Sequence, residues 1–509
     1  MRKLLNLLVS RGFIASFIVL IQLASFILTI EFLAGERDVI GDVLRIIGVF
    51  VAIIVINNAN LNPSYKIAWI IVILALPIVG GLLYLFFGNR RIPKNLRNEA
   101  LISYQKTTRL FSQDEKILKE YLKKDPHICS QFHYLWRNSA YPTYKNTQVT
   151  YYGLGEEMFA AMMDDIRKAR KFIFLEFFII SKGKMWDELL VLLKEKLAEG
   201  IDIRISYDDV GSIRTLPARY DKVLKKQGLN VKVFNPVRPV LAIKMNNRDH
   251  RKILVVDGKI AYTGGINLAD EYINEDDRFG HWKDGGVRMT GDAVFSFTVM
   301  FLQMFEGGLG NISELEKYKY DFKDKYDDGV ICPFADSPTD DEVVGESVHL
   351  NIINHALNYV YISSPYLILD QEMTIALTLA AKRGVDVRII LPYIPDKWYA
   401  YTVTRANYYR LVKEGVKIYE YKPGFMHAKI VLADDKVACL GTINLDYRSY
   451  YLHYECGVLM YKNACLKDIK KDYDETIERC ILITKEDLES ESPLIRVFRA
   501  ILNTLAPML

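Results

Sequence analysis

The stretch His250-Arg251-Lys252-Ile253-Leu254-Val255-Val256-Asp257, followed by Gly264-Gly265-Ile266-Asn267, occurs twice in this chain. Its second copy is His427-Ala428-Lys429-Ile430-Val431-Leu432-Ala433-Asp434, followed by Gly441-Thr442-Ile443-Asn444. Counted from its own histidine, each copy has Lys at +2, Asp at +7, Gly at +14 and Asn at +17, and the histidines lie 177 residues apart. The chain holds only eight histidines, so chance is a poor explanation for two of them carrying all four partners. The match extends upstream, where Gly200-Ile-Asp-Ile-Arg-Ile parallels Gly384-Val-Asp-Val-Arg-Ile and Gln227 to Pro236 parallels Glu414 to Pro423. The first copy then carries about ten extra residues before its histidine. This is an internal duplication, and it decides the architecture.

Each copy has a β/α rhythm. Residues 171–180 and 359–366 are apolar runs rich in aromatic and β-branched residues, and 201–207 and 385–391 read as buried strands. Helical stretches lie between them at 186–198 and 371–382, the latter stopped by Gly384. Alternating strands and helices predict two layered α/β halves. His250 and Lys252 stand two apart on a predicted strand, so both side chains leave one face, and His427 and Lys429 do the same. Asp257 opens an Asp-Gly pair between apolar runs, a hairpin signal, and Asp434 occupies the same turn. For these aspartates a turn-forming role stands beside a chemical one.

Half of the 509 residues are apolar, and the excess is concentrated in the first 88. Residues 12–33 and 67–87 are apolar runs long enough to cross a bilayer, and 39–56 is a third, interrupted by Asp42 and Arg45. Pro77, Gly80 and Gly81 interrupt the second run. The first run is too long for a typical signal core, and no A-x-A site follows it before more apolar sequence. Basic residues flank both ends of the region (Arg2, Lys3, Arg11; Arg90, Arg91, Lys94, Arg97), which two spans satisfy and three do not. The expected organisation is a transmembrane anchor of two or three helices (1–90), a linker and start of the catalytic body (91–145), a first half (146–310), a connection (311–345), and a second half with a tail (346–509). The six cysteines form no CxxC or regular spacing, which argues against zinc or a disulfide framework.

A histidine with a lysine on its face suits phosphodiester chemistry. Imidazole can attack phosphorus and form a covalent intermediate. Ammonium groups offset the charge that grows on the non-bridging oxygens. A second histidine can protonate the leaving oxygen and later deprotonate the acceptor. A carboxylate can orient an imidazole. Two half-sites meeting at a pseudo-twofold axis would supply all of these without a metal or cofactor.

These motifs resemble the HxKxxxxD signature of the phospholipase D superfamily, present twice, and the chain as a whole resembles the bacterial cardiolipin synthases. The supporting segments are residues 69–88, Tyr207-Asp-Asp-Val-Gly-Ser212, Asn267-Leu-Ala-Asp-Glu-Tyr272, and Asn444-Leu-Asp-Tyr-Arg-Ser449 with Glu455 following. The resemblance implies two phospholipase D-like β/α sandwich halves behind an amino-terminal transmembrane helical region. It implies that two phosphatidylglycerols become cardiolipin and glycerol through a covalent phosphatidyl-histidine, in a multi-pass protein of the bacterial cell membrane. It implies His250 as nucleophile, His427 as acid then base, and Lys252, Lys429, Asn267, Asn444, Gly265 and Thr442 around the phosphate. Asp257 and Asp434 would support the histidines, with Glu176 and Glu455 as further supporting carboxylates. Thr442 stands where the family usually has Gly or Ser, Leu369 replaces a common proline, and Glu176 could equally be a paired structural carboxylate.

The rival activities are a hydrolase, a phosphatidyltransferase with another acceptor, and a nuclease. Water and alcohols attack the same intermediate, so the motif does not separate the first two. A net charge of +4 and the apolar amino terminus argue against nucleic acid. Intact motifs argue against an inactive scaffold. Outside the motifs, the remaining histidines, His453 among them, read as surface or core residues, and the aromatic residues from Trp398 to Tyr409 read as helix packing, with a lipid-facing surface as the alternative. The apolar tail from Pro493 to Leu509, with Arg496 and Arg499, reads as an interfacial or a docking helix, and docking on the catalytic body is the expectation.

Overall fold

The computed structural model describes residues 38–58, 61–88, 98, 102, 105–106 and 109–508, except 238–246, 308–311 and 340–341. The predicted span at 12–33 lies outside the described residues. The chain divides into two compact units, one built on the amino-terminal helices and one holding Pro93–Phe234 and Asn247–Asn503.

The larger unit contains both copies of the repeat. The first supplies β1 (Thr147–Tyr152), β2 (Phe172–Phe177), β3 (Asp202–Asp208), β4 (Asn230–Phe234), β5 (Arg248–Asp249), β6 (Ile253–Val256), β7 (Ile260–Gly264), β8 (His281–Lys283) and β9 (Gly286–Gly291). The second supplies β10 (Val330–Asp336), β11 (Tyr359–Ser363), β12 (Leu367–Ile368), β13 (Asp386–Pro392), β14 (Lys417–Tyr421), β15 (Gly424–Met426), β16 (Ile430–Ala433), β17 (Val437–Gly441), β18 (Leu445–Asp446), β19 (His453–Tyr461) and β20 (Cys480–Ile483). The first sheet runs β1-β9-β7-β6-β2-β3-β4, and the second runs β10-β19-β17-β16-β11-β13-β14-β20. The two orders correspond strand for strand, with β20 as an addition. The duplication read from sequence is therefore a duplication of topology: a mixed α/β fold in two halves.

Local sequence explains the elements. Every residue of β2 and β11 is buried, so both are continuous apolar runs without alternation, as expected where both faces are covered. Gly200 and Gly384 follow the helices Lys184–Ala198 and Gln371–Lys382 and take φ of +85° and +91°. Only glycine adopts this left-handed conformation without cost, so each turns its chain from helix into β3 or β13. The helix Val294–Glu306 lies between the sheets, with Val294–Leu302 wholly buried against β2, β6 and β7 on one side and β10 on the other.

One boundary differs from expectation. Val330–Asp336, assigned by the sequence to the connection, is the edge strand of the second sheet, so that half begins before residue 346. The helix Pro126–Ser139, in the stretch read as linker and start of the catalytic body, packs on β10 and on the helix Val344–His355.

In the amino-terminal unit, Asp38–Ile56 is one helix, but residues 67–87 are not. Pro77 lacks an amide proton and disfavours helical geometry at Leu76 (φ −135°, ψ 76°), so the run breaks into Pro63–Ala75, Pro77–Leu83 and a π turn at Tyr84–Gly88. A Cβ on Gly80 would lie 2.4 Å from the Val72 carbonyl oxygen, which shows how closely the segments fold back. A small core of Ala52, Val55, Leu61, Tyr65, Trp69, Ile73 and Tyr84 holds them together. Among the described residues no helix is long and apolar enough to cross a membrane.

Candidate active site

His250 and His427 do not lie within strands, contrary to the sequence reading. Each sits where its chain leaves one sheet for the other. β5 pairs in parallel with β19 of the second half, while β6, three residues on, pairs within its own sheet. In the same way β15 pairs with β8 of the first half, and β16 returns to its own sheet. The His250 amide donates to the Tyr454 carbonyl at 3.0 Å, and the His427 amide donates to the Lys283 carbonyl at 2.7 Å. The halves are stitched together at the two histidines.

The stitching exchanges the carboxylates. His250 Nδ1 donates to Glu455 at 2.9 and 3.0 Å, and His427 Nδ1 donates to Asp284 Oδ2 at 2.6 Å. Each histidine is thus oriented by the opposite half. An ionised carboxylate only accepts, so the proton is held on Nδ1 and the Nε2 lone pair is left free. This is the tautomer a nucleophile or a base requires.

Asp257 and Asp434, expected to support the histidines, do not reach them. The Asp257 carboxylate accepts from the amides of Arg170, Lys171 and Phe172 at 2.7–3.0 Å. Asp434 accepts from Leu357, Asn358 and Tyr359 at 2.7–2.9 Å. The four residues of β6, roughly 13 Å of chain, separate Asp257 from the active centre. Both aspartates have positive φ and close the hairpin that follows the motif strand, so the turn reading is the one the geometry supports.

Asp284 was missed in the sequence, although a signal exists. Gly286 and Gly457 occupy equivalent ladder positions, opposite Gly264 and Gly441. Two residues before each stands the acid, in Asp284-Gly-Gly-Val-Arg-Met and Glu455-Cys-Gly-Val-Leu-Met. Gly265 is required beside it, since a Cβ there would lie 2.0 Å from Asp284 Oδ1. Thr442 takes the same place in the other half, but its hydroxyl donates to Glu455 Oε2 at 2.5 Å and accepts from the Cys456 amide at 3.0 Å. The Thr442 hydroxyl therefore orients a carboxylate instead of facing the phosphate.

Lys252 and Lys429 are buried and donate to the carbonyls of His250 and His427 respectively, Lys252 at 2.6 Å. Burial lowers Lys252 to about 8 and Lys429 to about 7. Burial, then the charges of Lys252, Lys429 and His427, push His250 well below its usual value. His427 falls to about 4 through burial and Lys429, with Asp284 partly offsetting them. Burial works to raise Asp284, but His427 and Lys429 outweigh it and hold the carboxyl low. Two lysines and two histidines that repel one another in a dry centre define a place for an anion. Among the described residues His250, His453 and Glu455 bring metal-type donors together, but the adjacent lysines make the place unsuited to a cation.

The remaining residues build the walls. Asn267 accepts from the Ile179 amide at 3.0 Å and donates to Tyr272 at 2.7 Å, leaving one amide hydrogen for a ligand. Asn444 Oδ1 is buried without a hydrogen-bond partner. Phe178 lies edge-on to His250, and Tyr272 lies edge-on to His427. Glu176 sits 2.5 Å from Arg251, whose guanidinium also holds Asp249 at 3.1 Å, so it pairs with the residue that follows the histidine. Asp208 accepts from the Asp249 amide at 3.1 Å and meets Arg248 at 3.3 Å, anchoring β5. His453, read as unremarkable in the sequence, lies with its ring 5.4 Å from that of His250 and its Nδ1 3.6 Å from Glu455.

The geometry defines a class: a two-histidine phosphodiester-transfer centre of the phospholipase D kind, shared between duplicated halves. The family described as "Cardiolipin synthase, PLD-like domain" matches residues 162–278 and 350–481, and the family "Phospholipase D-nuclease N-terminal" matches 46–89. A Streptococcus mutans protein is 43% identical over 90% of this chain and 99% of its own length. A cardiolipin synthase of Geobacillus thermodenitrificans is 30% identical over 96% of this chain and 98% of its own. The crystal structure of a phosphatidylserine synthase from Haemophilus influenzae has the same fold, with a TM-score of 0.57 at 16% identity over 75% of this chain and 99% of that one. The chain belongs to the cardiolipin synthase family and is a phosphatidyltransferase of the phospholipase D type.

Proposed function

We propose that this protein joins two phosphatidylglycerols into cardiolipin and releases glycerol, with His250 as nucleophile. The observation that carries the assignment is the crossed His–carboxylate pairing, which leaves both Nε2 atoms free in one electropositive, buried centre. Bound phosphodiester brings the negative charge that the lysines and histidines lack in isolation, and so allows His427 to take up a proton. His250 Nε2 attacks phosphorus, the bond from phosphorus to the departing glycerol oxygen breaks, and protonated His427 gives its proton to that oxygen. The glycerol hydroxyl of the second lipid then loses its proton to His427, attacks the phosphatidyl-histidine, and restores His250. Asp284 supports the proton carrier, because it counteracts the burial that would otherwise keep His427 neutral. His250 is held by Glu455, but burial and the charges of Lys252, Lys429 and His427 push it well below its usual value and keep it neutral, as an attacking imidazole must be. Lys252 and Lys429 screen the phosphate oxygens, and the Asn267 amide hydrogen is free to donate to them.

The amino-terminal unit is the membrane anchor in this reading. Its helix Asp38–Ile56 exposes Ile46, Ile47, Val49, Phe50, Ile53 and Ile54, an apolar exterior suited to lipid. In this reading the enzyme works at the cell membrane, where phosphatidylglycerol resides.

Incubation of purified, detergent-solubilised protein with phosphatidylglycerol alone is the test, with mass spectrometry of the lipids and free glycerol. The reading requires cardiolipin and glycerol in equal amounts. Phosphatidic acid as main product would make the protein a hydrolase.

A further inference from the structure

The carboxy-terminal helix Pro493–Thr504 is mounted with its polar side inward. Leu494, Val497, Phe498 and Ile501 recur at the spacing of one helical face, and all four are exposed, Leu494 at 81% and Val497 and Ile501 at 58%. The opposite side is the one held. Arg499 pairs with Glu491, Glu491 with Arg405 at 3.2 Å, Arg405 with Glu420 at 3.3 Å, and Asn503 meets Asn407 at 3.5 Å. The sequence expectation of an apolar face docked on the catalytic body is therefore reversed. A helix that merely capped the body would bury its apolar stripe, so the ion-pair chain fixes this one in an outward-facing pose.

The same elements carry further exposed aromatic residues. Trp398 opens the helix that holds Arg405, and Tyr409 lies in the next helix, where its hydroxyl donates to Glu489. The carboxy-terminal helix contains two arginines and no acid, Arg496 being exposed, and Lys397 and Arg410 are exposed beside the aromatic residues. Apolar stripe, aromatic residues and the exposed positive charge of Arg496 and Arg410 match a bilayer surface bearing anionic headgroups. Chain continuity points the same way. Just beyond the helix, Ala506–Met508 belongs to the amino-terminal unit and packs there against Pro63–Ala75. Whatever holds that unit at a bilayer also tethers the end of this helix there.

We infer that Pro493–Thr504 is an interfacial helix that lies in the headgroup region of an anionic bilayer and sets the catalytic unit against its lipid source. The occupant of the exposed face is lipid, not a second copy of the chain.

The test places an environment-sensitive fluorophore at Val497→Cys in full-length protein with Cys480→Ser, since the other five cysteines are buried. Reconstitution is into phosphatidylethanolamine/phosphatidylglycerol vesicles, and the control label is at Lys194→Cys, an exposed position on Lys184–Ala198. Quenching by nitroxide-labelled lipid several-fold stronger at 497 than at 194 is expected. Quenching of 497 by aqueous iodide as strong as at 194 would overturn the inference, and so would shielding of 497 from both quenchers, which marks a protein cover. This readout needs no turnover, so it survives failure of the proposed reaction. In a second arm, Val497→Glu with Phe498→Glu is expected to lower turnover on vesicles about tenfold or more while sparing short-chain phosphatidylglycerol in monomeric solution. Equal loss on both substrates, or none on vesicles, counts against it.

Discussion

The two half-sites share a backbone path and differ in what surrounds the carboxylate. At His427, Asp284 is backed by Gly265 and accepts from the Gly285 amide at 2.8 Å. At His250, the longer Glu455 starts from β19, next to the edge strand of the opposing sheet, accepts the Thr442 hydroxyl, and lies near His453. A glycine with an aspartate has become a threonine with a glutamate. Each carboxylate thus has a second donor besides its histidine, the Gly285 amide at Asp284 and the Thr442 hydroxyl at Glu455. Duplication supplies two equivalent imidazoles, and the proposed division of labour, one a neutral nucleophile and the other a proton carrier, rests on these local differences.

Breaking the comparison outright has the largest effect. His250→Ala and His427→Ala should each reduce cardiolipin formation on the order of 10⁴-fold or more, because the paired residues act as a unit. Rapid-quench phosphorus NMR or mass spectrometry should find a phosphatidyl adduct on position 250 only; an adduct on His427 would invert the assignment. Asp284→Asn and Glu455→Gln come next, with losses of about 10² to 10⁴ in kcat, since each removes the charge that fixes the Nδ1 proton. Comparable kcat values in the two carboxylate variants and the wild-type protein would sink the crossed-pair account.

Smaller changes sharpen the difference. Thr442→Gly, which makes the second half imitate the first, should cost about tenfold in kcat with little change in KM, because Glu455 loses one of its hydrogen bonds. Gly265→Thr, the reverse imitation, should abolish activity, since even the first carbon would overlap Asp284. An active Gly265→Thr protein would show that Asp284 can move freely. Asp257→Ala and Asp434→Ala should lower unfolding free energy by about 2–4 kcal/mol through three lost backbone hydrogen bonds each, while leaving kcat of the folded fraction within a few-fold. Loss of kcat at unchanged stability would return these aspartates to the chemistry.

The pH dependence of stability distinguishes an empty from a filled site. His250 and His427 have folded values below the ordinary 6.5, so the unfolded chain takes up protons first. Stability should therefore fall as pH drops below about 6.5, His427 continuing to lose it down to its folded value near 4. Inorganic tungstate, by supplying an anion to the centre, should reduce this acid loss in denaturant titrations. No difference with and without the anion would mean that the site does not bind one.

Much of this was legible in sequence because it is periodic or chemical. The motif spacing exposed the duplication, the apolar runs located β2, β3, β11 and β13 within a few residues, and Gly384 marked a helix end. The proline at 77 read as an interruption that a membrane helix tolerates, and only the backbone showed the run broken into separate helices there. Asp284 escaped because it lies 17 residues beyond Asn267 whereas Glu455 lies 11 beyond Asn444, which hid an equivalence that only the strand ladder reveals.

The sequence by itself determined that there are two halves, that a histidine and a lysine recur in each, and which reaction class they suit, because these follow from residue type and spacing. Tertiary structure alone decided which carboxylate serves which histidine. That pairing depends on β5 and β15 crossing to the opposite sheet, a long-range backbone event with no local signature, and it makes each half incomplete without the other.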